Sequence, residues 1–431
     1  MSISIRYIYS ACIVIKTKDV KVLCDPWFTQ GIYDGAWFTF PHIDPFEFID
    51  EPDYIYVSHI HPDHYDPTFI HEIFKRFGPK PILIPDFQKN YLFLKGKEDG
   101  LDLIPTRELH IGTTSIFIEE NDMGSISDID SALVVHDANC KKTILNLNDC
   151  LFNQPHVQKL NDIIQNFTSK LDLIAVGYTG AGPYPQTYFD IKNEKEILIS
   201  KANEKKQKAF EQYKDFIRFF NAEYNLPFAG EYLLGGINSK LNKYRGVSDA
   251  YEVNAFDPRA IIFNSGGSID LVSGKTFNLR TCKYSEFEIN NRIKEISSAK
   301  MDYETHFMME PEKINFMRLM KVASVNAQNK SEINEPYHFI FSITSKDKIL
   351  HRFQFDCKKG VLSPMKIDEE ITFKEYSEVI TDYRLMFGLL TGFYHWNNAL
   401  VGSAYLTRRY PVDNFKRNVQ SFLNFFTVID K

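Results

Sequence analysis

The sequence lacks paired cysteines, a basic surplus and any long apolar run, and each absence narrows what the protein can be. Its six cysteines (Cys12, Cys24, Cys140, Cys150, Cys282 and Cys357) lie far apart, with no CxxC pair among 431 residues. That excludes a cysteine zinc ribbon and a small disulfide scaffold, and fits reduced thiols in a cytoplasmic protein. Lys plus Arg number 50 against 56 Asp plus Glu, a formal charge of −6. The sequence therefore has no nucleic-acid signature, since phosphate contacts normally need a basic surplus. The most apolar stretch, Leu385 to Trp396, is shorter than the ~18 residues of a membrane span, so none is expected. No basic n-region precedes a long apolar stretch at the N-terminus, and no signal peptide is expected. Internal repeats and low-complexity tracts are also absent. Aromatic residues, by contrast, are plentiful: 36 Phe and 23 Tyr are spread along the whole chain, which argues against disorder and supplies a large core.

The first third reads as short strands broken by turns. Ile3 to Tyr9, Cys12 to Lys16 and Val20 to Cys24 alternate as strands do, and Asp25-Pro26-Trp27 ends their pairing. Tyr54 to Val57 is a compact apolar strand running into the loop Ser58–Tyr65. A helix follows, with Asp66 at the N-cap, Pro67 at N1, an apolar stripe through Phe69, Ile70, Ile73, Phe74 and Phe77, and Gly78 at its end. Further strands are predicted at Pro81–Ile84, Leu101–Ile104, Thr114–Ile118, Ala132–Val135, Thr143–Leu147 and Asp172–Val176, with helices near His156–Phe167 and Lys206–Tyr224. Strands layered with helices in this order indicate an α/β sandwich over residues 1–270. Residues 271–431 read as a C-terminal α+β subdomain: helical from Glu286 to Val325, β-like from Phe339 to Phe355 and helical again from Tyr376 to Tyr394.

The sharpest signal is His59-Ile60-His61-Pro62-Asp63-His64, with three imidazoles and a carboxylate directly after a buried strand. Residues two apart on an extended segment project to one face, so His59 and His61 can share one metal ion. A turn at Pro62 would send Asp63 and His64 toward a second. Asp149, just past the apolar run Ile144–Leu147, is the natural carboxylate to bridge the two. Two adjacent metals can activate a shared hydroxide at neutral pH, or bind dioxygen if they are iron.

These features resemble the metallo-β-lactamase fold, whose HxHxDH motif the segment matches at every specified position. Ala11-Cys12, Asp25-Pro26-Trp27, Tyr56–His59, Ile144–Cys150, Tyr178–Tyr188, Pro227–Gly230 and the turn Gly266–Asp270 further resemble the catalytic region of CMP-N-acetylneuraminate hydroxylase, in the same order. The resemblance implies a four-layer αββα sandwich with a dinuclear metal site, in which His59, His61, Asp63, His64 and Asp149 are ligands. It also implies two departures. The hydroxylase carries a Rieske iron–sulfur domain ahead of this region, whereas this chain begins at the first strand and has no Cys-His pairs for such a cluster. A separate electron donor is therefore expected. Hydrolytic members usually supply a third histidine before the bridging carboxylate. The matching stretch here, Asp122–Ser131, offers only carboxylates: Asp128 is the choice, with Asp122 and Asp130 as alternatives. Carboxylate-rich sites suit oxygen-activating iron better than zinc. The last histidine of the family also lacks an obvious match, His156 and Glu231 being the nearest residues, with Glu231 read as hydrogen-bonded rather than ligating.

The expectation is thus an enzyme with two divalent metal ions, iron favoured over zinc or manganese. It would act as an oxygenase or hydroxylase on an anionic small molecule such as a nucleotide sugar. Substrate contacts are expected from Tyr178 and Tyr184 of the Gly/Pro/Tyr-rich loop and from Lys243 and Arg245, unless the latter two form a plain solvated turn. The alternative is a hydrolase of phosphodiester, lactone or amide bonds, with Asp63 as the catalytic residue that orients a metal-bridging hydroxide or takes its proton. A third reading is a binding module with a degenerate metal site. Trp27 and Trp37 are expected at the metal mouth, and His395-Trp396-Asn397-Asn398 is read as packing with local hydrogen bonds.

Overall fold

Along the first strand, Ile3, Ile5 and Tyr7 turn inward while Ser4 and Arg6 stay partly exposed, the two-residue alternation of a half-buried sheet. A computed structural model describes residues 3–123, 129–331, 333, 335–346, 348–413 and 416–429. The first sheet has eight strands in the order Thr276–Leu279, Phe263–Asp270, Ser4–Tyr9, Cys12–Lys16, Lys21–Cys24, Tyr54–Tyr56, Ile82–Ile84 and Leu103–Pro105. Hairpin connections make one half antiparallel, and the helix Pro67–Phe77 serves one crossover of the parallel half. The second sheet has six: Tyr224–Phe228, Leu173–Gly177, Lys142–Asn146, Ser131–Asp137, Thr114–Glu120 and Glu108–Ile111.

The facing sides of the two sheets form one core, in which Ile5, Ile13, Val22 and Tyr56 meet Ile116, Leu133, Ile144 and Leu173. Helices Gln154–Gln165 and Lys195–Phe220 cover the far side of the second sheet through Val157, Leu160, Tyr213 and Phe216. Pro67–Phe77 and Tyr91–Glu98 cover the far side of the first. The four-layer αββα expectation therefore holds. So does the predicted helix start: Asp66 accepts from the Phe69 amide at 3.0 Å, Pro67 is the first helical residue, and Gly78 ends the helix at φ 82°. The predicted strands Ala132–Val135 and Thr143–Leu147 form a hairpin, which pairs Val135 with Ile144 and His136 with Thr143.

Several elements differ from expectation. The helix predicted at Lys206–Tyr224 is Lys195–Phe220, stopped by Asn221 in the left-handed conformation (φ 45°), and Tyr224 already begins a strand. The sandwich continues past residue 270, because Thr276–Leu279 pairs with Phe263–Asp270 as an edge strand. Tyr376–Tyr394 is not one helix: Tyr376–Asp382 is a strand of a third, five-stranded sheet, and only Tyr383–Leu390 is helical. Ser377, Glu378, Val379 and Thr381 are all buried there, so burial on both faces blurs the strand alternation beside the apolar run that follows it. In the third sheet His338–Ser345 and Lys348–Asp356 form a hairpin. Its Phe339, Phe341 and Phe355 stack on Phe422 and Phe426 near Trp396. That cluster is continuous with the apolar layer under the first sheet, through Trp27, Tyr33, Trp37 and Met301. Residues on both sides of the boundary therefore share one core.

Candidate metal centre

The site forms where strand Tyr54–Tyr56 leaves the first sheet beside the end of Lys142–Asn146 in the second. The Asp25 amide donates to the Tyr56 carbonyl at 2.9 Å, and Asp25 takes φ 43° to turn its carboxylate inward. There it accepts from the Ser58 amide (2.7 Å), the Ser58 hydroxyl (2.8 Å) and His64 Nδ1 (3.0 Å). Across the sheets, the Tyr56 hydroxyl meets Ser131 Oγ at 2.8 Å, Ser131 Oγ donates to the Ser58 carbonyl at 2.8 Å, and Asn148 Nδ2 donates to the Ser131 carbonyl at 3.1 Å. Buried polar groups satisfied this way fix both loops. Asp66, 2% exposed, ties the loop after Asp25 to the helix start through the Phe28 and Thr29 amides and the Thr29 hydroxyl.

The predicted turn after His61 is real: the amides of His64 and Tyr65 both donate to the His61 carbonyl, at 2.9 and 2.8 Å. It folds the motif so that His59 Nε2 lies 2.9 Å from His61 Nδ1. Two nitrogens bound to one ion at roughly 2.1 Å stand about 3.0–3.4 Å apart, so a slight opening of this contact would admit a shared metal. His64 Nε2 faces Asp149 Oδ1 at 3.4 Å and Asp63 Oδ2 at 3.7 Å. One ligand atom each from His59, His64 and Asp149 fall within 4.8 Å of one another. The sequence thus places five of its six expected ligands together. The sixth, Asp128, lies outside the described residues. Of its alternatives, Asp130 brings Oδ1 to 4.0 Å from His59 Nε2, while the Asp122 carbonyl accepts from Asn153 at the surface.

Electrostatics separate the histidines. Burial, then the neighbouring His64 and His61, hold His59 well below the usual imidazole range, and burial lowers His61 as well. Burial thus favours the neutral form of both rings, the form that can ligate a metal. Burial alone would lower His64 too, but Asp149, Asp25 and Asp63 together push it well above that range. Burial opposes the Asp149 charge, and the His64 cation nonetheless keeps its carboxyl below the ordinary value. Desolvation thus makes one imidazole pair metal-ready, while the third imidazole is held by carboxylates. The way in is on the carboxylate side, where the Asp149 side chain is 34% exposed against 2% for His64.

Sequence reasoning gave no role to four residues that shape this centre. Asp25 and Ser58 orient His64. Tyr33 donates a hydrogen bond to Asp63 Oδ1, from a backbone held at φ 55°, ψ 52°, a strained conformation for a large side chain. The fourth is Asn397, whose amide lies 3.2 Å from His61 Nε2 although 336 residues separate them. His395–Asn398 therefore does more than pack locally, as expected: it starts the helix Trp396–Val401, and its Asn397 reaches the metal motif. Asp25 could have been noticed as a carboxylate after an apolar strand and before proline. Asn397 carried no such signal.

The remaining expectations fare variously. Trp27 is buried and Trp37 stacks on Tyr232 at 3.5 Å and 13°, with Tyr33 against it at 4.5 Å, so both rings sit behind the site. Glu231 is ion-paired to Arg280 at 2.9 Å, away from the ligand cluster as expected. Burial raises its carboxyl to about 7. Buried His156 has neither ring nitrogen hydrogen-bonded among the described residues. Tyr178 is buried against Gly230, Tyr184 packs edge-on with Tyr188, and Lys243 is exposed over the Tyr244 ring. Arg245 is 4% exposed, so the solvated basic turn was the wrong alternative for it.

Residues 4–136 match a family profile described as a beta-lactamase superfamily domain. The sandwich has the metallo-β-lactamase fold. The chain is 26% identical over 232 residues to a putative Rieske 2Fe-2S iron-sulfur protein of Mycolicibacterium smegmatis, a match covering 50% of this chain and 41% of that one. It is 22% identical over 262 residues to the cytidine monophosphate-N-acetylneuraminic acid hydroxylase of Cricetulus griseus, covering 58% and 44%. These matches span less than half the length of either relative. A solved structure, CmlA, a diiron beta-hydroxylase from Streptomyces venezuelae, superposes with a TM-score of 0.39 at 13% identity, covering 60% of this chain and 52% of that one. Among the described residues no helix is long and apolar enough to cross a membrane.

Proposed function

We propose that this metallo-β-lactamase-fold protein is a dinuclear iron oxygenase or hydroxylase acting on an anionic small molecule such as a nucleotide sugar, with electrons from a separate donor. The observation that carries the reading is the donor set. Where hydrolytic members of the fold usually place a third histidine, His59 is met by the Asp130 carboxylate at 4.0 Å, and carboxylates suit iron in higher oxidation states. The sequence similarity to sialic-acid hydroxylases supports it.

His59 Nε2 and His61 Nδ1 would hold one ion together with Asp130 or Asp128. Asp63 and His64 Nε2 would hold the other, and Asp149 would lie between them. Bound iron would supply dioxygen activation. The chain's own residues do the positioning: Asp25 keeps the His64 proton on Nδ1 and so its Nε2 lone pair toward the centre, and Tyr33 fixes the Asp63 carboxylate. Asn397, with its amide turned so that Oδ1 meets His61 Nε2, would accept the proton there and leave the Nδ1 lone pair toward the centre. The rings of Trp37 and Tyr232 behind Tyr33 keep bulk water from that side.

Metal analysis of protein purified without added metal, followed by dioxygen uptake under a reductant, tests this. About two irons per chain and reductant-dependent uptake are expected, with both lost in His61→Ala. Two zincs with turnover of a chromogenic phosphodiester or lactone would overturn it in favour of a hydrolase. No bound metal, with stability indifferent to chelator, would leave only a binding module.

A further inference from the structure

Buried cations in this protein mostly sit against carboxylates: Arg280 meets Glu231 at 2.9 Å and Arg352 meets Glu378 at 3.1 Å. Two neighbouring cations do not. Lys205, half-buried on the helix Lys195–Phe220, donates from Nζ to the Tyr184 carbonyl at 2.9 Å. Arg245 donates from Nη2 to the Tyr232 carbonyl at 2.8 Å and from Nε to the Asn242 carbonyl at 3.3 Å. Its Nη1 is buried and has no hydrogen-bond partner among the described residues, and the same is true of Ser248 Oγ, while the Tyr232 hydroxyl approaches the Arg245 side chain and the Gly182 backbone. Carbonyl oxygens satisfy donors without neutralising charge. Burial, and next the Arg245 guanidinium, push the Lys205 ammonium down to about 7, as expected of two like charges sharing a partly desolvated space.

The backbone brings the two together on purpose. Gly246, at φ 67°, lies so close to the helix that a Cβ there would stand 2.4 Å from the Ala202 carbonyl. This packs the residue after Arg245 against the helical turn that precedes Lys205. A Cβ on Gly180 would lie 3.5 Å from Lys205 Cε, whereas one on Gly182 would meet nothing within 4 Å. The glycine loop therefore borders the cations on one side and open space on the other. Inward, the Arg245 guanidinium lies 4.2 Å over the Tyr232 ring, which stacks on Trp37, and that ring touches Tyr33, the partner of Asp63. A continuous aromatic column thus runs from the cations to the metal centre.

We propose that Lys205 and Arg245, under the Gly180–Gly182 loop, form a subsite for the phosphate or carboxylate group of a small anionic ligand. That the ligand is the substrate rests on the function proposed above; that an anion binds here does not. The subsite replaces exposed Lys243 by Lys205 as the partner of Arg245.

The test uses the full chain stripped of metal by chelator, so that anions cannot be held by a metal ion. Thermal unfolding is followed with inorganic phosphate and, separately, with acetate, each against chloride at matched ionic strength. One of the two anions should raise the melting temperature saturably, and which one identifies the group. In Lys205→Met, which keeps the stem and removes the charge, the apparent affinity for that anion should fall by about tenfold or more. Arg245→Lys should do the same. Should that variant fail to fold, Lys205→Met decides alone. No saturable stabilisation of the wild type by either anion would overturn the proposal. So would an equal effect on Lys205→Met, which would mark general salting-out instead. Finding zinc, or no dioxygen uptake, would defeat the oxygenase reading and leave this result standing.

Discussion

Asp25→Asn changes one atom of a side chain that no ligand list contains, yet it should disable half of the metal centre. The carboxylate is fully buried and accepts three hydrogen bonds, from the Ser58 amide on Oδ1 and from the Ser58 hydroxyl and His64 Nδ1 on Oδ2. In the variant the amide oxygen must stay on the Ser58 N–H, which can only donate, so the new NH2 group faces His64 Nδ1. Two donors cannot share one contact. His64 must then accept on Nδ1 and carry its proton on Nε2, the nitrogen that faces Asp149 and Asp63. A protonated Nε2 has no lone pair to give. Loss of such an orienting partner lowers metal affinity roughly 10–100-fold, or about 1.4–2.7 kcal/mol. Competition against a chromophoric chelator, with circular dichroism to verify folding, measures it. A folded Asp25→Asn protein with wild-type metal affinity would refute the tautomer argument.

Other outcomes follow from the same geometry. Asn397→Ala should weaken metal binding by roughly tenfold while leaving the unfolding midpoint of the metal-free protein nearly unchanged, because Asn397 sits beside His61 and not in the core; chelator competition and urea unfolding report the two. Glu231, raised from an ordinary 4.5 to about 7 by burial, binds its proton more tightly when folded. Its stabilising contribution is therefore full below about 4.5 and lost as pH rises through about 7. Glu231→Gln should flatten the wild-type decline in stability across that window, by on the order of 1–3 kcal/mol, read from urea midpoints against pH. Phe341→Ala should cost ~3–5 kcal/mol of stability, since the ring is fully buried and stacks on Phe426 at 4.6 Å.

Local pattern was enough wherever a segment's chemistry is self-contained. The helix Pro67–Phe77 carries its own cap, proline start and glycine stop, and these act on backbone groups within one turn. The turn that folds His59–His64 is equally local, closed by two amides on one carbonyl. Strands with both faces buried were harder. Tyr376–Asp382 was read as helix because burial on both sides of the third sheet, and the apolar helix after it, blur a two-residue period. The Asp25 role was half visible, as a carboxylate ending a strand, but its partners come from a parallel neighbour 33 and 39 residues on.

The order of residues by itself determined which side chains can bind metal, that they fall on a strand-to-helix loop, and that the chain layers sheets with helices. Those properties depend on neighbours a few positions apart. Only the tertiary structure decided which carboxylate stands against His59, that Asn397 closes over His61, and that Lys205 and Arg245 share a space without an acid. Each of these is a contact between segments tens to hundreds of residues apart, set by how three sheets pack around one aromatic core, and no short-range pattern encodes it.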